Sequence, residues 1–222
     1  GNIGNEGLTI NIQRSELTSV DVQVPCDTSG SAFWLVAGCC HPNASIRLKN
    51  VGMNPTRIGM LEVLESMEAN ISIENERMEG GEPVADIVAS TSSLRATEIH
   101  GDVIPRVVDE LPVLSLAACF AKGTTIIRDA EELRVKESDR ISATVDSLSR
   151  LGATIEETPD GMKISGGTSL AGAEVKSHGD HRIAMTNAIA GLVAEGETTI
   201  EDSEAASVSY PSFWNTIEEL RG

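Results

Sequence analysis

Aromatic residues are scarce in this chain, with three Phe, two Trp and one Tyr among 222 residues. Platforms for stacking bases are therefore few, and the core must come from Leu, Ile, Val, Ala and Met within an apolar fraction of 40%. Cations are scarce as well. Only 17 Lys and Arg oppose 34 Asp and Glu, a net charge of -17 that works against non-specific attraction to nucleic acid or to anionic membranes. No apolar run approaches the roughly 20 residues that cross a bilayer. The four cysteines, Cys26, Cys39, Cys40 and Cys119, have neither CxxC spacing nor the density of a secreted disulfide scaffold. A reducing cytoplasm fits them best, with Cys39, Cys40 and Cys119 expected as buried thiols. A small anion remains a possible ligand if the few cations converge in one cleft.

What the sequence has instead is an internal repeat. Three segments share one order: a short strand, a turn, a nearly all-apolar helix, a polar turn and a strand rich in Thr and Ile. The first runs from Val24-Pro25 through Ser31 to Cys40 and into Ser45-Ile46-Arg47-Leu48. The second runs from Ile104-Pro105 through Leu111 to Phe120 and into Thr124-Thr125-Ile126-Ile127, and the third from Gly179 through Arg182 to Ala194 and into Thr198-Thr199-Ile200. Pro25 to Ile46, Pro105 to Ile126 and Gly179 to Ile200 are equal intervals, which makes this a true register. Amphipathic helices follow in the first two copies, at Arg57 to Met67 and Ser138 to Leu151, and the third copy closes with Pro211-Ser212-Phe213-Trp214 and Ile217-Glu218-Glu219-Leu220. Helices apolar all round need cover on every side, whereas amphipathic ones can keep a face wet. The expected fold is α/β: a pseudo-threefold lobe of βαβαββ-like units, with inner buried helices covered by mixed sheets and outer helices. Further strands are expected at Ala96 to His100, Met162 to Ser165 and Ala173 to Lys176, and residues 74–83 are expected as a solvated hairpin or loop.

Each unit sets polar residues just before its apolar helix: Asp27, Thr28 and Ser29; Arg106, Asp109 and Glu110; Ser177, His178, Asp180, His181 and Arg182. Exposed amides and the helix dipole at such an end can hold a carboxylate or phosphate. Ordinary capping explains Asp27 and Asp180 equally well, but a cap needs neither His181 nor Arg182. Arg134-Val135-Lys136-Glu137-Ser138-Asp139-Arg140 is the densest charged stretch. A helical register would put Lys136 and Arg140 on one face, and Glu137 three residues from Arg140. Such a run is either an anion clamp or a solvated face. At Asn54-Pro55-Thr56-Arg57, Thr56 can cap, and Arg57 is either a ligand contact or a turn residue. Asp109 is a candidate general base if it lies beside a substrate hydroxyl; capping, or pairing with Lys136 or Arg140, are its other readings. His178, His181 and Asp180 lack the companions of a metal site, so no metal is expected.

These residues resemble the enolpyruvyl transferase family, in its shikimate-pathway branch. The resemblance is carried by Val24-Pro25-Cys26-Asp27 with Ser31-Ala32, Gly52-Met53-Asn54-Pro55-Thr56-Arg57, Asp109-Glu110-Leu111-Pro112, Leu133 to Arg140, His178-Gly179-Asp180-His181-Arg182-Ile183-Ala184-Met185 and Ser209-Tyr210-Pro211. It implies transfer of the enolpyruvyl group from phosphoenolpyruvate to the 5-hydroxyl of shikimate 3-phosphate with release of phosphate, by addition and elimination, without cofactor or metal. Asp109 is then similar to the carboxylate that takes the hydroxyl proton, and Glu137 to the proton-transfer partner at the methylene carbon. Lys136 matches a contact to the attacking hydroxyl. Arg140 and Arg182 match the guanidiniums that clamp the phosphoenolpyruvate carboxylate, with His181 beside them. Asp27, Arg57 and Glu132 fall at structural or substrate-proximal positions. Three positions depart from the pattern: Cys26 stands where Gly is usual, Glu132 where some members have Asn, and Val208 where some have Lys.

Members of the family have about twice this length in two similar lobes. Gly1-Asn2-Ile3-Gly4-Asn5 lacks an initiator Met and reads like a cut inside a longer chain. The resemblance thus implies that residues 1–20 belong to the other lobe or a crossover, and residues 21–222 to a C-terminal lobe of three units at about 21–94, 95–169 and 170–222. The N-terminal lobe is then a required partner within one monomeric cytoplasmic enzyme, and this portion alone is expected to be inactive. The alternatives are the lobe of a transferase acting on UDP-N-acetylglucosamine and a non-catalytic binding lobe.

Overall fold

The computed structural model describes residues 3–6, 9–16, 18–19 and 21–221. Residues 1, 2, 7, 8, 17 and 20 of the expected end segment lie outside the described residues, as does residue 222. Strands β1 (Ile3–Glu6) and β2 (Thr9–Ile12) form an antiparallel pair with Ile3 opposite Ile12.

Three helices form the centre: α1 (Thr28–Cys40), α3 (Leu111–Phe120) and α5 (His181–Val193), each packed against the other two. Every residue of α3 from Leu111 to Cys119 is buried, as its uniformly apolar sequence requires. Around them lie α2 (Gly59–Ser66), α4 (Arg140–Arg150) and α6 (Phe213–Arg221). In α2 the burial of Met60, Leu61, Val63 and Leu64 leaves Glu62 and Glu65 in solvent, the pattern of a helix with one wet face. Among the described residues no helix is long and apolar enough to cross a membrane.

The sheets repeat the same plan with different completeness. Strands β3 (Ser45–Gly52), β4 (Asn70–Glu79) and β5 (Glu82–Ser90) make an antiparallel sheet in the order β3-β5-β4. Strands β6 (Glu98–Ile99), β7 (Thr124–Ile127), β8 (Thr154–Thr158) and β9 (Gly161–Ser165) make a mixed sheet in the order β6-β7-β9-β8, with β6 and β7 parallel. Strands β10 (Glu174–Lys176) and β11 (Thr199–Glu201) pair in parallel across α5. Ile46, Ile126 and Ile200 fall in β3, β7 and β11, so the equal sequence intervals are one structural repeat. Residues 74–83 form a hairpin turning at Gly80 and Gly81, both with positive φ. Gly161, the first residue of β9, is required by close packing, because a Cβ there would stand 2.0 Å from the Ile127 carbonyl oxygen.

Several local expectations are corrected. The strand expected at Ile104-Pro105 is a 3-10 helix over Gly101–Arg106, since Pro105 has no N–H for a ladder. The strand expected over Ala96 to His100 shrinks to Glu98–Ile99, while Val24-Pro25 contributes only a parallel bridge from Cys26 to Val51. Cys39 and Cys119 are buried, but Cys40 is only half-buried, and Cys26 is exposed. A cavity of about 930 Å³ lies at the C-terminal ends of α1 and α5, lined by Ala37, His41, Gly191, Trp214 and Ile217 among others.

Candidate active site

The site is assembled where the N-terminal ends of the inner helices meet the entrance of α4. Asp139 starts α4: in an extended conformation, it accepts a 3.1 Å bond from the Ser142 amide. The residues before it form a 3-10 helix over Glu131–Val135, and Lys136 is extended. The expected helical pairing of Lys136 with Arg140 is thereby corrected, because the Asp139 cap begins the helix only at Arg140. Lys136 Nζ bonds Glu132 Oε1 at 2.5 Å and lies 3.8 Å from Asp109 Oδ1.

Arg140 is the hub of this end of the molecule. It is only 1% exposed, and its three nitrogens donate to three carboxylates from different places in the chain. Nε bonds Asp180 at 2.8 Å, Nη1 bonds Asp109 at 2.9 Å and Nη2 bonds Glu137 at 2.5 Å. A guanidinium is suited to this, since its fixed planar fork meets several oxygens at once. Asp180 is wholly buried and fully engaged: it caps α5 through the Arg182 amide at 2.8 Å, and its other oxygen also accepts from the Ser138 hydroxyl at 3.1 Å. The capping reading of Asp180 is thus correct, and the same side chain also anchors Arg140.

The second half of the cluster is looser. Glu110, buried at the start of α3, makes no side-chain cap bond; its Oε1 lies 3.8 Å from Arg182 Nη1. Arg182 Nε donates to His181 Nε2 at 3.2 Å. Exposed Arg57 donates to the Ser29 hydroxyl at 2.8 Å, which ties the turn before α2 to the mouth of α1. Thr56 does not cap α2: the helix has no side-chain cap, and Asn54 accepts from the Thr56 amide and hydroxyl instead. Asp27 caps α1 through the Gly30 amide at 2.6 Å and stands apart from the cluster.

The charges act on one another's protonation. Burial acts to raise the Asp109 and Asp180 pKa values, but nearby cations outweigh it and both are lowered. For Asp109 these are Arg182, Arg140 and Lys136; for Asp180 the bond to Arg140 leads. Glu110 is raised, because burial exceeds the opposing effects of Ser29 and Arg182. His181 is lowered by burial and then by Arg182, which keeps its ring neutral at pH 7. A neutral His181 with Nε2 accepting from Arg182 matches the hydrogen bond seen.

Five predicted residues, Asp109, Lys136, Glu137, Arg140 and Arg182, are therefore brought together, with His181 against Arg182. Glu132 joins at the rim through Lys136. Asp27 and the exposed Val208 do not join. The bonds of Ser29 and Ser138 were missed from sequence, and Glu110 was read only as one of the polar residues before the second apolar helix, without its partner Arg182. Among the described residues no three His, Cys, Asp or Glu side chains are grouped to hold a metal ion. The cluster holds five carboxylates, Asp109, Glu110, Glu132, Glu137 and Asp180, against four cations, Arg57, Lys136, Arg140 and Arg182. It has directional donors for an anion but no surplus of positive charge.

The family model described as EPSP synthase (3-phosphoshikimate 1-carboxyvinyltransferase) matches residues 2–217. The chain belongs to the EPSP synthase family. It is 58% identical over 208 residues to 3-phosphoshikimate 1-carboxyvinyltransferase of Synechococcus elongatus, covering 94% of this chain and 46% of that protein. The enzyme of the same name from Bacillus cereus is 52% identical over 219 residues, covering 98% of this chain and 51% of its own length. The solved EPSP synthase of Acinetobacter baumannii superposes with a TM-score of 0.93 at 39% identity, over 98% of this chain and 51% of that one. The enolpyruvyl transferase NikO of Streptomyces tendae shares the fold, with a TM-score of 0.71 at 18% identity over 87% of this chain and 42% of its own. The chain spans about half the length of the EPSP synthase relatives it matches.

Proposed function

We propose that this chain is the C-terminal lobe of a cytoplasmic EPSP synthase, which transfers the enolpyruvyl group of phosphoenolpyruvate to the 5-hydroxyl of shikimate 3-phosphate and releases phosphate. Residues 21–222 form the lobe, and residues 1–20 lead from the other half of a monomeric enzyme. Asp109 takes the proton of the attacking hydroxyl, while Glu137 delivers a proton to the methylene carbon so that C2 becomes electrophilic. The hydroxyl oxygen bonds to C2. In the second stage Glu137 takes a proton back from the new methyl group, and the C–H electron pair forms the vinyl double bond. The C2–phosphate oxygen bond breaks with its pair leaving on phosphate, which takes up the proton held by Asp109. Lys136 holds the hydroxyl, and Arg140 and Arg182 bind the carboxylate of phosphoenolpyruvate, with His181 as a polar neighbour.

The observation that carries this reading is the placement of Asp109 and Glu137 on one buried guanidinium, that of Arg140. Two acids meant to move protons at neighbouring atoms are held within one cation's reach. The charge count supports the dependence on a second lobe: four cations already matched by five carboxylates cannot also neutralise two phosphate groups. Donors preorganised around developing charge supply most of such catalysis, and half of them lie elsewhere.

The test is phosphate release from phosphoenolpyruvate and shikimate 3-phosphate, measured for the two-lobe protein and for this chain alone. Turnover is expected only from the former, and Asp109→Asn should lower its kcat by about 100-fold or more, the range of a positioned base. Appreciable turnover by residues 1–222 alone would refute the half-site reading. Turnover with UDP-N-acetylglucosamine in place of shikimate 3-phosphate would refute the assigned acceptor.

A further inference from the structure

Arg140 and Arg182 are unequal as anion ligands. Each nitrogen of Arg140 already donates to a resident carboxylate, and its side chain is 1% exposed. Arg182 is 13% exposed, and among the described residues its one side-chain hydrogen bond leaves from Nε to His181. Its terminal nitrogens are the open donors of the pair. They are steered by Glu110, whose Oε1 stands 3.8 Å from Nη1. That separation exceeds a hydrogen bond but retains much of the Coulomb attraction in a buried setting. The acid fixes the guanidinium without consuming its N–H groups.

Glu110 has no other task visible in the fold. It occupies the N-cap position of α3 without making a cap bond, and it is 5% exposed. Burying a carboxylate is costly unless a partner compensates it. Its surroundings are the Ser29 hydroxyl, Arg182, Asp109 and Arg57. Ser29 accepts from Arg57, and its hydroxyl acts to lower the Glu110 pKa against the effect of burial. Two pairs, Arg57 with Ser29 and Glu110 with Arg182, thus lie where the turn before α2 meets the mouths of α1, α3 and α5.

We propose that Glu110 is a positioning residue that orients Arg182 to receive the carboxylate of the enolpyruvyl donor. The inference rests on the substrate assignment made above and assigns a residue which that chemistry does not use. Glu110→Gln keeps the shape and removes the charge that aims Arg182. Burial pushes the Glu110 carboxyl up, so the neutral Gln removes a desolvated charge while leaving Arg182 without its partner, and denaturant unfolding of the variant beside the parent separates folding from binding.

The experiment uses the two-lobe protein, with phosphoenolpyruvate binding followed by calorimetry and turnover by phosphate release. Glu110→Gln should weaken phosphoenolpyruvate binding and raise its KM by about tenfold, with kcat within about threefold and the KM for shikimate 3-phosphate unmoved; loss of binding that is uniform between ground and transition states has this signature. Ser29→Ala should shift the same constant in the same direction by a smaller factor, and Glu110→Asp should restore part of it. Parental binding in a folded Glu110→Gln protein would overturn the inference alone, as would equal changes in both KM values. A parent that fails to bind phosphoenolpyruvate overturns the substrate assignment and this inference with it; a parent that binds but does not turn over leaves the binding arm to decide.

Discussion

The same three inner helices end in two different chemistries. At their N-terminal ends α1, α3 and α5 meet Asp27, Ser29, Asp109, Glu110, Asp180 and Arg182, while at their C-terminal ends they finish without a basic residue in the last turn. Those C-terminal ends are closed by backbone alone, with His41, Ala121 and Ala194 donating to Ala37, Ala118 and Ala190. The cavity of about 930 Å³ lies there, yet its lining includes one carboxylate, Glu197, and no Lys or Arg. The charged end has the buried ion network and directional donors. Space is therefore a poor guide to chemistry in this chain, and the better guide is the costly burial of charge, which the C-terminal ends avoid.

The sharpest way to break this contrast is Arg140→Met. Removing the cation leaves the wholly buried Asp180 and its partners uncompensated, and the expected loss is about 3–5 kcal/mol in denaturant unfolding. A change smaller than that of a surface variant would show that the network is not buried in solution. At the opposite end, Ile217→Ala removes a side chain that is 6% exposed beside the cavity. It should cost about 2 kcal/mol, the low end for such truncations, because one wall already borders open space. Asp27→Ala removes a cap that makes no bond to the ion network and should cost about 1 kcal/mol by the same measurement, leaving turnover of the two-lobe protein near parental.

Acid should separate the two ends as well. Asp109 and Asp180 have lowered pKa values in the fold, so their contribution is complete above the ordinary Asp value of about 3.9 and is lost as pH falls below it. The lowered His181 value adds an earlier loss, starting as pH drops through about 6.5, since the unfolded ring accepts its proton first. Ile217→Ala should shift the whole stability curve down without changing this slope, whereas Arg140→Met should flatten its acid limb. Parallel curves for the two variants would contradict the assignment of acid sensitivity to the charged end.

Much of the fold was legible because an apolar run such as Leu111 to Phe120 can be satisfied only inside. The equal intervals ending at Ile46, Ile126 and Ile200 located the three repeats for the same reason: each crosses one buried helix into a sheet. Where the sequence reading failed, local chemistry prevailed over periodicity. Pro105 stopped a strand, and the Asp139 cap delayed α4 past Lys136. The cluster was legible by residue type and poorly legible by pairing. Nothing local says that Arg140 will meet Asp180, or that Arg182 will face Glu110, since these pairs arise only when separate helix mouths pack together.

Glu137 is the most accessible partner of Arg140, with a side chain 52% exposed on a guanidinium that is otherwise sealed. Of the three carboxylates that guanidinium holds, Glu137 is the one that solvent can draw away at least cost, since Asp180 is wholly buried and Asp109 is 31% exposed. The same guanidinium is thus a fixed anchor on its inner side and a loose one at its rim.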